Sequence, residues 1–96
     1  METKIQLKHP AGKKAVSISK DKYDVLKNQT IQCLNSNPEA TFSEISKIIA
    51  KDFNKKKIKF NGSLNWYLEW VKLDLEARQI IKRVPRTVPQ KYLLVK

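Results

Sequence analysis

The chain has 96 residues, of which 41% are hydrophobic, enough to build one core and too few for a second. Its 20 Lys and Arg stand against 9 Asp and Glu, a formal net charge of +11, and the resulting self-repulsion calls for a polyanionic partner. With 2 Gly, 1 His and 1 Cys it cannot assemble a nucleophilic triad, a glycine-rich phosphate cradle or a metal cluster, so neither an enzyme nor a cofactor or metal site is expected.

No apolar run approaches the roughly 20 residues that span a bilayer, and residues 1–10 alternate instead of forming a signal-peptide core, so a cytoplasmic, membrane-free protein is expected. The lone Cys33 fits a reducing compartment and a place in the core. Along residues 4–19, Ile5 and Leu7, then Val16 and Ile18, recur at period two around the turn chemistry of His9-Pro10-Ala11-Gly12, which predicts an N-terminal hairpin. The period changes over 21–35, where Tyr23, Leu26, Thr30, Cys33 and Leu34 share one helical face, and Pro38 closes that helix.

Thr41 and Glu44 make a T-x-x-E capping box that opens a second helix with Ile45, Ile48, Ile49 and Phe53 on its core side. A basic connection follows, Lys55-Lys56-Lys57-Ile58-Lys59-Phe60, ending in the turn signal Asn61-Gly62, with Ser63 as the N-cap of a third helix over 64–78. This helix carries two apolar stripes, Leu64, Tyr67, Leu68, Val71 and Leu75 on one and Trp66, Trp70 and Leu73 on the other. A narrow polar face remains for Asn65, Glu69, Lys72 and Glu76. Residues 80–84 and 91–95 are β-like runs on either side of Pro85-Arg86-Thr87-Val88-Pro89, a stiffened basic tip.

The opening Thr41-Phe42-Ser43-Glu44-Ile45, the stretch Leu73-Asp74-Leu75-Glu76-Ala77-Arg78-Gln79-Ile80-Ile81-Lys82-Arg83 and the returning Tyr92-Leu93-Leu94 resemble the winged helix-turn-helix family, with Gln79 where many members carry glycine. That resemblance implies an α+β fold of three helices plus a C-terminal β-hairpin wing, here with an added N-terminal β-hairpin, and it implies DNA as the partner. It divides a single 1–96 domain into a hairpin extension (1–20), a three-helix core (21–79) and the wing (80–96). Through Gly12-Lys13-Lys14, Gly62-Ser63-Leu64-Asn65-Trp66-Tyr67 and Val71-Lys72-Leu73-Asp74-Leu75-Glu76-Ala77-Arg78 the whole chain also resembles a family of small bacterial proteins of unknown function.

The third helix sets Lys72 and Arg78 against Glu69, Asp74 and Glu76 and is net acidic, while the cations lie in the segments around it. The expected activity is low-specificity binding of double-stranded DNA, as in a small transcriptional regulator. Lys55, Lys56, Lys57, Lys59, Arg83, Arg86 and Lys91 would hold phosphates, with Ser63, Asn65, Glu69 and Lys72 toward the groove. Asn65 has the chemistry to pair with adenine and Glu69 to accept from cytosine. The alternative is a protein-interaction or homodimerisation module that uses Trp66, Trp70 and Leu73 without DNA.

Overall fold

The first two strands, β1 (Lys4–Gln6) and β2 (Ser17–Ser19), pair antiparallel with Ile5 opposite Ile18. Ile18 is buried against α1 (Lys20–Ser36), whose Tyr23, Leu26, Thr30, Cys33 and Leu34 form one buried stripe at helical spacing. In the computed structural model, which describes residues 3–58, 60 and 62–95, the chain then passes through β3 (Ala40–Thr41), α2 (Phe42–Lys55), α3 (Leu64–Ala77), β4 (Ile81–Arg83) and β5 (Lys91–Leu94). The candidate Lys59, and Asn61 of the Asn-Gly turn, lie outside the described residues.

The result is a mixed α+β architecture with three helices and two small antiparallel sheets among the described residues. The second sheet has the order β3-β5-β4, with Tyr92 of β5 between Ala40 and Arg83. The two-residue strand β3 is a departure from the sequence expectation, which ends the sheet at the terminal hairpin. Two residues are too short for any periodicity to show, and the strand exists only because β5 offers it a partner.

Leu26, Ile45, Ile49, Leu68, Val71, Leu75 and Ile81 are each at most 1% exposed and form the centre of the core. Ile48, expected on the core side of α2, is 37% exposed, because the core-facing arc of this helix is centred on Ile45, Ile49 and Phe53. The capping box forms as expected: the Glu44 N–H donates to Thr41 Oγ1 at 3.2 Å and the Thr41 N–H to Glu44 Oε1 at 3.0 Å. Those bonds, the one from the Thr41 backbone foremost, hold the Glu44 carboxyl below the usual carboxylate range.

Both α2 and α3 end in the same way. The residue after each C-cap, Lys57 and Gln79, takes a left-handed conformation with φ of 57° and 61°. The next N–H reaches back five residues, Ile58 to the Phe53 carbonyl at 2.8 Å and Ile80 to the Leu75 carbonyl at 2.9 Å. These are Schellman terminations in which a non-glycine side chain carries the strained position.

The element that ties the layers together is Asp74, which is fully buried. Its Oδ2 accepts from Tyr23 Oη of α1 at 2.5 Å, its Oδ1 accepts from the Lys8 N–H of the N-terminal hairpin at 2.8 Å, and Arg78 Nε lies 2.8 and 3.0 Å from the two oxygens. A buried carboxylate is tolerated when it is both paired and hydrogen-bonded; removing the charged partner of such a group costs roughly 3–5 kcal/mol, and removing a neutral hydrogen-bond donor costs less. Burial and then the Asp74 bond push the Tyr23 hydroxyl well above its ordinary range, and the Asp74 bond raises Arg78.

Tyr23→Phe is therefore expected to lose roughly 1.5–3 kcal/mol in urea unfolding, as for a hydrogen bond to a charged group. Because the folded-state pKa of Tyr23 is raised, its contribution is fully present below about pH 10, the unfolded value, and declines as the pH rises further. The phenylalanine variant should show a shallower alkaline decline. Gln79→Gly removes the left-handed strain and should raise stability by about 1 kcal/mol in the same assay, whereas an unchanged or lower midpoint would refute the strain account.

Candidate functional site

The surface around α3 is organised by how the helix is held on its two flanks. Asp74 receives the N-terminal hairpin through the Lys8 N–H. Glu76, two residues on and so about 200° further round the helix, receives the C-terminal hairpin: Arg83 Nε donates to its Oε1 at 2.7 Å. The bond raises the Arg83 guanidinium pKa. The solvent-facing arc of α3 therefore lies as the floor between two hairpins.

That floor bears Trp66, which is 46% exposed, with Glu69, Trp70, Leu73 and Ala77 half-buried around it. Trp66 packs edge-on against Tyr67 at 5.0 Å and Trp70 at 6.4 Å between ring centroids. Among the described residues of this arc there is no cation, so the outer surface of α3 is apolar with an acidic edge.

Lys72 is the sharpest departure from the sequence expectation, which puts it on the polar face toward a groove. It is 7% exposed. Its ammonium donates to Glu69 Oε1 at 2.9 Å and to Tyr92 Oη at 3.2 Å, and it lies over the rings of Phe42 and Tyr92 at 5.4 and 5.2 Å. Burial disfavours the charge, but the bonds to Glu69 and Tyr92 outweigh it and the pKa is raised. The physical reason is two aromatic side chains, Phe42 at the start of α2 and Tyr92 of β5, which lie against the ammonium, while the long aliphatic stem of lysine is accommodated among apolar neighbours. Glu76 is likewise withdrawn, its side chain 6% exposed beneath Arg83.

The other candidates sit as follows. Ser63 caps α3, its Oγ accepting from the Trp66 N–H at 3.3 Å. Asn65 is exposed at the junction of α2 and α3, where its Oδ1 accepts from Ser46 Oγ. Its amide nitrogen is left to donate, while the carbonyl that adenine pairing needs is already engaged. Glu69 is tied to Lys72. Lys55, Lys56 and Lys57 are all exposed at the far end of α2, with Lys56 paired to Asp52 at 3.2 Å. Arg86 is exposed at the hairpin tip with φ of 62°, and Lys91 is half-buried at the start of β5.

One feature of α2 escapes a reading that follows apolar periodicity alone. Lys47, Lys51 and Lys55 recur at i, i+4 and i+8, so they form a single exposed row running down the outer face of the helix toward Lys57. None of the three is in an ion pair among the described residues. Like charges at this spacing repel by a few tenths of a kcal/mol per pair. The signal that finds them is the same four-residue spacing, applied to charge.

Among the described residues no group of three His, Cys, Asp or Glu side chains is arranged to hold a metal ion, and no helix is long and apolar enough to cross a membrane. No curated protein and no solved structure matches the chain. A family model does match, over residues 4–92, which takes in every element from β1 to the Tyr92 that joins the second sheet. By that match the chain belongs to a family of unknown function, DUF6958.

Proposed function

We propose that the chain is a winged-helix nucleic-acid-binding module that holds double-stranded DNA with little dependence on base sequence. The element order α1-β3-α2-α3-β4-β5 with strand order β3-β5-β4 supports the winged-helix reading. The observation that carries the functional reading is the segregation of charge. Cations in no ion pair among the described residues stand on α2 (Lys47, Lys51, Lys55) and on the C-terminal hairpin (Lys82, Arg86, Lys91), while the outer arc of α3 has none.

Phosphate contacts supply affinity and position, and base-edge contacts supply specificity. A surface with many cations around a central helix whose outer arc carries none is suited to the first task. The readers expected on α3 are committed elsewhere, Lys72 to Tyr92 and Glu69, Asn65 in part to Ser46. Binding through about five phosphates gives a log–log salt slope near −4.5, because each contact contributes roughly −0.9. Fluorescence anisotropy on two mixed-sequence duplexes of unrelated composition should show that slope and closely similar affinities. No binding at low salt, or a flat salt dependence, would contradict the proposal.

A second reading is favoured by Trp66, whose 46% exposure is high for a tryptophan on a helix flanked by two hairpins. In that reading Trp66, Trp70 and Leu73 form a protein-interaction or homodimer surface, and the lysines are merely solvated. Sedimentation velocity at two concentrations separates the two: DNA binding by this route predicts a monomer throughout. Concentration-dependent association abolished by Trp66→Ala would favour the interface.

A further inference from the structure

We infer that the Gly12-Lys13-Lys14 turn of the N-terminal hairpin is a phosphodiester-binding arm, which grips a nucleic-acid backbone on the flank of α3 opposite the C-terminal hairpin. The inference rests on the nucleic-acid reading above and adds to it a site, a ligand chemistry and a place.

The turn lies beside a cleft of about 480 Å³ whose walls include Lys8, Lys13 and Lys14 and whose floor reaches Ala77 of α3. All three lysines are exposed, and none has an ion-pair partner among the described residues. The backbone N–H groups of Lys13 and Lys14 are also without a hydrogen-bond acceptor among the described residues. Ammonium groups and backbone N–H donors together are what a phosphodiester oxygen takes from a protein.

The arm is braced, so its donors are held in place before any ligand arrives. The Gly12 N–H donates to the His9 carbonyl at 2.9 Å and the Ala11 N–H to His9 Nδ1 at 3.0 Å, which closes the turn. Gly12 takes φ of 75°, a conformation that glycine reaches without strain. Below the turn, Gln6 Nε2 donates across the hairpin to the Ala15 carbonyl at 2.7 Å, and the Leu7 N–H donates to the Val16 carbonyl at 3.0 Å. The Lys8 N–H is fixed on Asp74, the residue that anchors α3 to α1.

Position completes the case. The Asp74 and Glu76 flanks of α3 are about 200° apart, so the N-terminal arm and the cationic C-terminal hairpin stand on either side of the same helix face. Two cationic arms about one helix can contact phosphates on both sides of it, whereas a single arm orients the duplex from one side only.

The test is anisotropy on one mixed-sequence duplex with the full chain, the pair Lys13→Ala/Lys14→Ala, and the charge-preserving pair Lys13→Arg/Lys14→Arg. Both positions are exposed loop residues, and unchanged urea midpoints check that folding is intact. The alanine pair should flatten the log–log salt slope by about 2, one phosphate per lysine, and weaken binding at low salt, while the arginine pair should retain the slope. If the full chain binds and the alanine pair keeps its slope, the arm is refuted and the wider reading stands. If the full chain does not bind, both fall. Inorganic phosphate compared with chloride at equal ionic strength is the last arm: competition specific to phosphate and lost in the alanine pair would assign the cleft to a free anion and overturn the backbone assignment.

Discussion

The arrangement depends first on one buried carboxylate. Asp74 has no exposed surface and accepts from three directions: Tyr23 on α1, the backbone of the N-terminal hairpin, and Arg78 one turn along its own helix. A charge removed from water in this way is stable only while all its partners are present, so it couples three elements that the apolar core alone would leave free to slide. The apolar residues of the core supply adhesion. Asp74 supplies register, fixing both the rotation of α3 and the seat of the N-terminal hairpin.

The acids of α3 also explain an apparent conflict in the charge distribution. A net-acidic helix in a chain of +11 looks misplaced for the proposed binding of a polyanion. Each of its three acids is consumed by a structural cation, Glu69 by Lys72, Asp74 by Arg78 and Glu76 by Arg83. What remains uncommitted is overwhelmingly positive and stands on the elements around α3. The helix acts as a keel for its neighbours, and the apolar floor it exposes around Trp66 is the part of the surface that the phosphate account does not use.

Much of this was legible in the sequence wherever a signal is local. The five-residue apolar face of α1 and the Thr41/Glu44 box depend on spacing within one helix, and both appear where spacing places them. Lys72 shows where such reasoning stops: helical spacing puts it next to Glu69 and Asn65, but it is covered by the side chains of Phe42 and of Tyr92, which lies 20 residues away. Asp74 is a stronger case, because its role depends on Tyr23 and Lys8, 51 and 66 residues distant, and on its own helix it is simply an acid four residues before an arginine. The strand β3 was invisible for want of length. The lysine row on α2 was visible at i, i+4 spacing, but only to a reading that tracks charge as well as apolar residues.

The central claim is that one duplex is held by cations on both sides of α3, with the helix itself contributing no base reading. Amide chemical-shift perturbation on titrating a mixed-sequence duplex into the labelled protein tests it most directly, since it reports binding and location together. The account predicts concerted shifts in three places: residues 12–14, residues 82–91 and the outer row of α2, with the outer face of α1 unmoved. Shifts confined to Trp66, Trp70 and Leu73 that grow with protein concentration and ignore added DNA would contradict it.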